Sequence, residues 1–281
     1  MDQTNTRPAA LAGTWYQADP QQLQREIDQY IQAAPSPQFS GEVVALVAPH
    51  AGHRYSGPVA GYSFRAILGK QYETVAVVSP YHSGHREPLL TSSHESYSTP
   101  LGQIPVDLDS IAALNSWLGK EAGLELNLIW QDQEHAIEIE LPFLQVALSG
   151  PFQLLPVMLA GHAPEAALTL GTGLAEVLQE KSALLIASTD LSHFYPEEKA
   201  NRLDQAMLKA IASMDPRNVI EVQRSGKGQA CGSMAVLAVM AAAKGLGASQ
   251  GHIFHYATSG STSGNFSRVV GYGAGAFTRP L

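Results

Sequence analysis

The stretch EVVALVAPHAGH, residues 42–53, decides the fold of this chain. Residues 42–48 are nearly all apolar and include three valines, a composition that predicts a strand with both faces buried. Pro49 cannot donate to the hydrogen-bonding ladder of a sheet, so the strand ends there and His50 lies in the loop beyond it. Two other runs have the same form, namely ETVAVVS at 73–79 and ALLIAS at 183–188.

Segments with helical periodicity or helix-start signals separate these strands. We expect helices at residues 19–34, 59–68, 107–118, 135–148, 163–178, 196–214 and 233–243. Further extended segments are expected at 89–106, as a hairpin, and at 152–159, 252–258 and 267–277. Buried strands that alternate with helices indicate the α/β class, with a largely parallel or mixed central sheet flanked by helices. We predict a single domain over residues 1–281, with a flexible N-terminus at 1–6.

The composition argues against several classes of function. The chain has 281 residues, of which 45% are hydrophobic, so it can bury a large core without disulfides. The chain has 17 basic residues (Lys and Arg) and 25 acidic ones (Asp and Glu), which gives a net charge of −8. This charge, without a cluster of basic residues, argues against nucleic acid as a partner. The start of the chain has no signal-peptide pattern, and the longest apolar stretch, 230–243, is too short to span a membrane. We therefore expect a cytoplasmic protein with no membrane partner.

Polar side chains follow three of the predicted strands, at the point where each strand ends. His50 follows the first strand, His82 follows the second, and Asp190 and His193 follow the third. Ligands of open α/β sheets bind outside the carboxyl ends of the strands. Neutral imidazole is a common metal ligand, and two histidines with a carboxylate or thiolate would make a site with an open position. Each histidine could instead be a loop residue that binds backbone groups, but recurrence at strand ends favours a site.

Other polar residues leave alternatives open. Cys231, in QACGS, lies at the start of a predicted helix, where its thiol pKa would be lowered, or it is a small buried apolar residue. His135 opens the helix in QDQEHAIEIELPF and could point inward, whereas we expect the glutamates beside it, Glu134 and Glu138, on a solvated face. His53 and His85 are either partners of the site or exposed loop residues. The loop at 258–264, TSGSTSG, lacks the serine-hydrolase pattern and is expected to line the site.

Taken together, the motifs resemble the Memo-like family, whose bacterial members are called AmmeMemoRadiSam system protein B. The resemblance covers about residues 7–277 and rests on RPAALAGTWY, APHAG, SPYH, EHAIEIELPF, STDLSH, ACGS, YATSG and VGYGAGAF. It implies the fold of the class III extradiol (LigB-type) dioxygenases, which hold non-haem Fe(II) with two histidines and a carboxylate. By this resemblance the metal ligands are His50, His82 and Cys231, the last in place of the dioxygenase glutamate. His193 falls on the acid/base histidine, and Asp190 and His135 belong to the same pocket.

The resemblance implies a metal-dependent, dioxygenase-like oxidoreductase that acts on an unidentified small molecule. Fe(II) is the expected metal and copper the second, while a thiolate ligand also admits zinc. Two alternatives stay open, a non-catalytic metal-binding or adaptor protein that uses the same pocket, and a zinc-dependent hydrolase. The family name further implies a functional link to an AMMECR-type protein and a radical-SAM protein.

Overall fold

A computed structural model describes residues 5–130 and 132–281 of the chain. The helices of these residues are α1 (Pro20–Ala33), α2 (His53–Arg65), α3 (Leu108–Ala122), α4 (His135–Glu138), α5 (Glu140–Ala147), α6 (Pro164–Leu178), α7 (Glu197–Ala212), α8 (Pro216–Arg224), α9 (Ser233–Gly245) and α10 (Gly260–Ser263). The strands are β1 (Thr6–Arg7), β2 (Glu42–Ala48), β3 (Thr74–Pro80), β4 (Leu89–Ser92), β5 (Ser96–Thr99), β6 (Gly102–Pro105), β7 (Asn127–Ile129), β8 (Gln153–Leu159), β9 (Ala183–Ser188), β10 (His193–Tyr195), β11 (Gln250–Thr258) and β12 (Val269–Arg279). Residues 1–4 of the predicted flexible N-terminus lie outside the described residues, whereas Thr6 pairs with Ser96.

The main sheet contains nine strands in the described part of the chain, in the order β10-β12-β2-β9-β3-β8-β4-β7, with β11 paired to β12. Its centre is parallel, because β9 pairs in parallel with both β2 and β3, and β3 pairs in parallel with β8. Strand β12 is antiparallel to β2 and makes the sheet mixed. A smaller sheet joins β1, β5 and β6. The predicted α/β class, with a mixed central sheet flanked by helices, is confirmed.

The central strands are buried because helices cover both faces of the sheet. Val47 packs in one cluster with Leu237 of α9, and Leu46 in the other with Phe143 of α5. Every side chain of β2 after its first residue is buried. A strand covered on both faces gains from apolar side chains at every position, which is why these strands are continuous apolar runs rather than alternating ones.

Two predicted helices differ from the observed ones near the carboxyl ends of the strands. The helix expected at 135–148 is divided into α4 and α5 at Ile139, because Pro142 has no N–H to donate to the carbonyl four residues earlier. The helix expected at 59–68 begins earlier, at His53, and contains Pro58. Within the described part of the chain, no helix combines the length and the apolar character that a membrane span requires.

The close contact between α1 and α2 generates a stability prediction. A Cβ atom at Gly61 of α2 would overlap the carbonyl group of Tyr30 on α1, so Gly61→Ala should lower the free energy of unfolding by about 1–3 kcal/mol. Gly119 of α3 is the matched control, since its nearest neighbour would be the Leu124 carbonyl oxygen at 4.0 Å. Gly119→Ala should be neutral or stabilise by up to about 1 kcal/mol, because alanine favours helix. Urea unfolding of both variants tests this, and equal stabilities would contradict it.

Candidate functional site

The loops after β2, β3 and β9 meet at one edge of the sheet, since these strands are adjacent and parallel. They surround a cavity of about 580 Å³. Of the residues predicted for the site, His50, His82, His135, Asp190 and His193 all line this cavity. The structure therefore brings together five of the six predicted residues around one space, and it places the sixth, Cys231, directly against His50.

Three histidines form the centre of the site. Ligand nitrogens of His50, His82 and His135 lie within 4.8 Å of one another, the one such group found among the described residues. The ring centroids of His82 and His135 are 4.4 Å apart, and each is 5.3 Å from that of His50. These rings come from the end of β2, the end of β3 and the start of α4. His135, whose role the sequence left undecided, therefore points inward.

A polar partner lies against the Nδ1 atom of each ring. His50 Nδ1 is 3.0 Å from Ser188 Oγ, and His82 Nδ1 is 2.9 Å from Glu134 Oε1. His135 Nδ1 lies 3.1 Å from the same oxygen of Glu134. A carboxylate only accepts hydrogen bonds, so the ring nitrogens beside it carry protons. These contacts leave Nε2 as the ring nitrogen available to a ligand, and that of His50 lies beside the Cys231 sulfur.

Two of the three rings, those of His50 and His135, have the charge state that a metal ligand needs. Burial lowers the pKa of His50 well below its usual value, and the neighbouring histidines lower it further. Burial also lowers the pKa of His135 to about 4. Both rings are therefore neutral at pH 7 and can donate a lone pair. Convergent neutral imidazoles suit Fe, Cu, Zn and Ni, so the donor set fits a transition metal ion.

Glu134 organises the site, although the sequence placed it on a solvated face, and that expectation is wrong. Its Oε2 accepts the backbone N–H of His82 at 2.6 Å, and its Oε1 accepts the N–H of Ala136 at 3.0 Å. Burial acts to raise the pKa of Glu134, but the hydrogen bonds from the ring and the backbone N–H of His82 outweigh burial and leave the pKa lowered. An ionised carboxylate at the N-cap of α4 is thus held by several N–H groups. Its position just before an apolar helix was the available signal.

Cys231 lies beside the cluster with its thiol protonated. Its Sγ is 3.2 Å from His50 Nε2 and accepts the N–H of Asp190 at 3.3 Å. Burial, and then the charge of Asp190, raise the pKa of Cys231 to about 12. Of the two interpretations that the sequence left open, the raised pKa favours the small buried residue, because α9 begins two residues later, at Ser233, and desolvation dominates. A bound cation would reverse this balance and favour the thiolate.

Asp190 and His193 are polar residues that line the cavity. Asp190 Oδ1 accepts the backbone N–H of His50 at 2.9 Å, and burial raises the pKa of Asp190 to about 7. His193 Nδ1 donates to the carbonyl of Leu191 at 3.0 Å, which leaves its Nε2 free. Burial lowers the pKa of His193, so this ring is a neutral base.

Three other features singled out in the sequence, His53, His85 and the loop at 258–264, do not line the cavity. His53 is fully buried at the start of α2, where its Nε2 is 3.1 Å from the carbonyl oxygen of Ile139. His85 is exposed and binds the backbone of Glu87. The loop at 258–264 forms the end of β11 and helix α10, and the described residues that line the cavity do not include it.

Known proteins are similar to this chain over nearly its whole length. The family model described as Memo-like protein matches residues 7–276. The chain belongs to the Memo-like family. It is 33% identical over 283 residues to a MEMO1 family protein of Methanopyrus kandleri, with 97% of this chain and 99% of that protein covered. It is 32% identical to MEMO1 family proteins of Nitrosopumilus maritimus, covering 95% of this chain and 98% of that protein, and of Ignicoccus hospitalis, covering 98% and 99%. The resemblance predicted from the motifs is confirmed.

A buried ion network from the first strand holds the loop that carries Glu134. Arg7, 1% exposed, donates from Nε to Asp132 at 3.0 Å and from Nη1 to Glu138 at 2.5 Å. Its Nη2 donates to the Glu134 carbonyl at 2.7 Å, while Asp132 Oδ1 accepts the Glu134 N–H at 2.7 Å. Tyr16 donates to Glu138 at 2.7 Å. Glu138 is therefore buried as well, which corrects its predicted position on a solvated face.

This network predicts a large stability loss on removal of its one guanidinium. Arg7→Met leaves the carboxylates of Asp132 and Glu138 buried without their cation, and it should lower the free energy of unfolding by about 3–5 kcal/mol. Arg202→Met is the matched control, because Arg202 pairs with Glu198 on an exposed helix face. The control should change stability by no more than about 1 kcal/mol. Denaturant unfolding measures both, and a small effect at Arg7 would contradict the role assigned to the network.

Proposed function

We propose that the protein is a metal-dependent oxidoreductase that acts on a small molecule at the histidine cluster. The observation that carries this proposal is the convergence of nitrogen atoms of His50, His82 and His135 within 4.8 Å. Each ring has its Nδ1 next to a partner supplied by the fold. Side chains held in this way are typical of metal ligands, whose other ring nitrogen is bound by a carboxylate or another acceptor.

His50 and His82 would hold the metal, with His135 and the sulfur of Cys231 as the further donors beside them. Imidazole and thiol donors favour Fe(II) or copper, and they also admit zinc. When bound, Fe(II) or copper would supply the one-electron and oxygen chemistry that amino-acid side chains lack. The protein would supply the position of the metal, the neutral rings of His50 and His135, and the exclusion of water from one side of the site.

His193 would act as the general acid and base of the reaction. Its Nδ1–H is bound to the Leu191 carbonyl, so a proton taken from a substrate in the cavity would be accepted at Nε2. Asp190 would hold the loop of His50 through the backbone N–H of that residue. Because burial brings the pKa of Asp190 to about 7, its carboxyl can also hold or release a proton near neutral pH.

The cavity walls favour a small, flat substrate. At about 580 Å³ the space is in the range that small-molecule sites occupy. Trp15, Tyr55 and Phe194 present partly exposed rings to it, and Arg54 lies beside Tyr55. Phe194 has a φ of 64°, in the left-handed region that a bulky residue rarely adopts. Strained residues persist where function requires their position, and this one turns an apolar ring towards the cavity.

A zinc hydrolase is the second candidate, because one observation favours it. Three histidine ligands with an open fourth position are also the ligand set with which zinc enzymes activate a water molecule. The metal found in the protein, together with the class of substrate turned over, separates this candidate from the oxidoreductase.

The ligand assignment predicts which variants lose metal. Protein purified without oxygen should contain close to one transition metal ion per chain. His50→Ala and His82→Ala should each reduce that content about tenfold or more, since loss of a ligand costs more than loss of a supporting partner. Cys231→Ser should weaken binding of copper more than binding of zinc, because sulfur is the softer donor. His162→Ala, at an exposed position away from the cavity, is the control. Elemental analysis measures all four, and full metal content in His50→Ala would contradict the site.

Turnover is tested by oxygen uptake. Protein loaded anaerobically with Fe(II) should consume oxygen in the presence of at least one member of a panel of catechols and related phenols. His193→Ala should keep its metal but lose most of the uptake, because the base is separate from the ligands. Tight metal binding without uptake on any substrate would favour a binding protein, and turnover of esters or amides by the zinc form alone would favour the hydrolase.

A further inference from the structure

Glu140 is a buried carboxyl group that the proposed mechanism does not use. It is the first residue of α5, and its side chain is fully buried. Its Oε1 is 2.6 Å from Ser188 Oγ, while its Oε2 has no hydrogen-bond partner among residues 5–130 and 132–281. Burial of a carboxyl group without a cation is costly. Such a group calls for a physical explanation, and the explanation lies on the other side of Ser188.

Ser188 connects Glu140 to the metal site. Its Oγ is 3.0 Å from His50 Nδ1, the nitrogen that faces away from Cys231. The three groups therefore form a continuous chain from the carboxyl, through the hydroxyl, to the ring whose Nε2 borders the cluster. Ser188 ends β9 and His50 follows β2, and the pairing of these two strands sets the chain in place.

The hydrogens in this chain can be arranged in two ways. The Ser188 hydroxyl lies 2.9 Å from the Ala136 carbonyl as well as 2.6 Å from Glu140. With Glu140 protonated, its O–H donates to Ser188, and Ser188 donates to Ala136. With Glu140 ionised, Ser188 donates to the carboxylate instead. The His50 Nδ1–H donates to Ser188 in both arrangements, so the carboxyl can lose its proton without any heavy atom moving.

We propose that Glu140 is a positioning residue for the metal, which acts through Ser188 to fix the tautomer of His50 and to balance the charge of a cation held there. This inference rests on the proposed function, because it requires a cation at the cluster. Oxygen chemistry is not required, and the inference holds equally for an oxidoreductase, a hydrolase or a binding protein.

The charged and titratable groups around Glu140 agree with this role. Burial raises the pKa of Glu140 to about 8, and the charge of Asp190 contributes to the rise. His53 of α2 binds the adjacent carbonyl of Ile139, and Arg7 is held by Asp132 and Glu138. Without metal the carboxyl is mostly protonated at pH 7. A cation at His50 favours the ionised form, so metal binding should release this proton.

The sign of the pH dependence follows from this release. Without metal the pKa of Glu140 is about 8, and a bound cation lowers it. At pH values between these two pKa values, a rise in pH strengthens metal binding by the wild type. Glu140→Gln keeps the size of the side chain and cannot ionise. Protons that compete with metal at the histidines, at Cys231 and at Asp190 are present in both proteins and cancel in a comparison of the two. The ratio of their dissociation constants therefore isolates Glu140.

The experiment is titration of full-length protein with Co(II) between pH 6.5 and pH 8.5. The dissociation constant of Glu140→Gln, divided by that of the wild type, should increase about tenfold over this range, which corresponds to a one- to two-unit fall in the pKa of Glu140 on binding. At pH 7, calorimetry in buffers of different ionisation enthalpy should show up to one proton fewer released by the variant. Ser188→Ala, which breaks the chain but keeps Glu140, should show the same change in pH dependence. Glu176→Gln, at an exposed position, should match the wild type at every pH.

The outcomes separate the inference from the proposed function. A ratio for Glu140→Gln that is independent of pH, with equal proton release, would overturn the role of Glu140 while the metal site stands. Failure of the wild type to bind Co(II), copper, iron or zinc would overturn the proposed function and this inference with it. Should Glu140→Gln fail to fold, as judged by circular dichroism, the ratio for Ser188→Ala decides the matter.

Discussion

An imidazole ring has two nitrogens, and the site depends on the fold engaging one of them in each ring of the cluster. The Ser188 hydroxyl contacts the Nδ1 of His50, and one oxygen of Glu134 contacts the Nδ1 of both His82 and His135. These contacts restrict the orientation of each ring. One ligand nitrogen of each ring lies within 4.8 Å of the others, so the polar groups behind the rings are as necessary to the cluster as the histidines themselves.

The fold supplies these acceptors from the segment that breaks into two short helices. Glu134 caps α4, whereas Glu140 begins α5 on the other side of the break at Ile139. A continuous helix would place residues six apart on different faces, at about 600° of rotation, without a defined relation to two separate histidines. The break lets one carboxyl reach the loop after β3 and the other reach the end of β9. Arg7 then holds the first half of the segment from the far end of the chain.

The sequence predicted the parts of this structure that carry local signals. The three apolar runs at 42–48, 73–79 and 183–188 are strands within one residue of the predicted bounds, because burial on both faces makes the signal independent of distant partners. The convergence of His50, His82, Asp190 and His193 followed from parallel strand order. The burial of Glu134 and Glu138 could not be predicted from local sequence, because their partner Arg7 is more than 120 residues away in the chain. Short elements such as β1 and β10 also escaped prediction, since their partners define them rather than their composition. Which sulfur or nitrogen atoms hold a metal stays a prediction.

The two carboxyl groups behind the cluster differ in charge for a reason visible in their hydrogen bonds. Glu134 accepts from backbone and ring N–H groups, which stabilise its ionised form against burial and lower its pKa. Within the described part of the chain, Glu140 has a single hydroxyl partner and one oxygen without a partner, so burial prevails and its pKa rises. Hydrogen bonds to the charged form and desolvation act in opposite directions, and the number of N–H donors decides which is larger. The site therefore combines the ionised carboxylate of Glu134 with carboxyl groups, those of Glu140 and Asp190, that can release a proton near neutral pH. A divalent cation brings two positive charges, and this arrangement can match them without moving a residue.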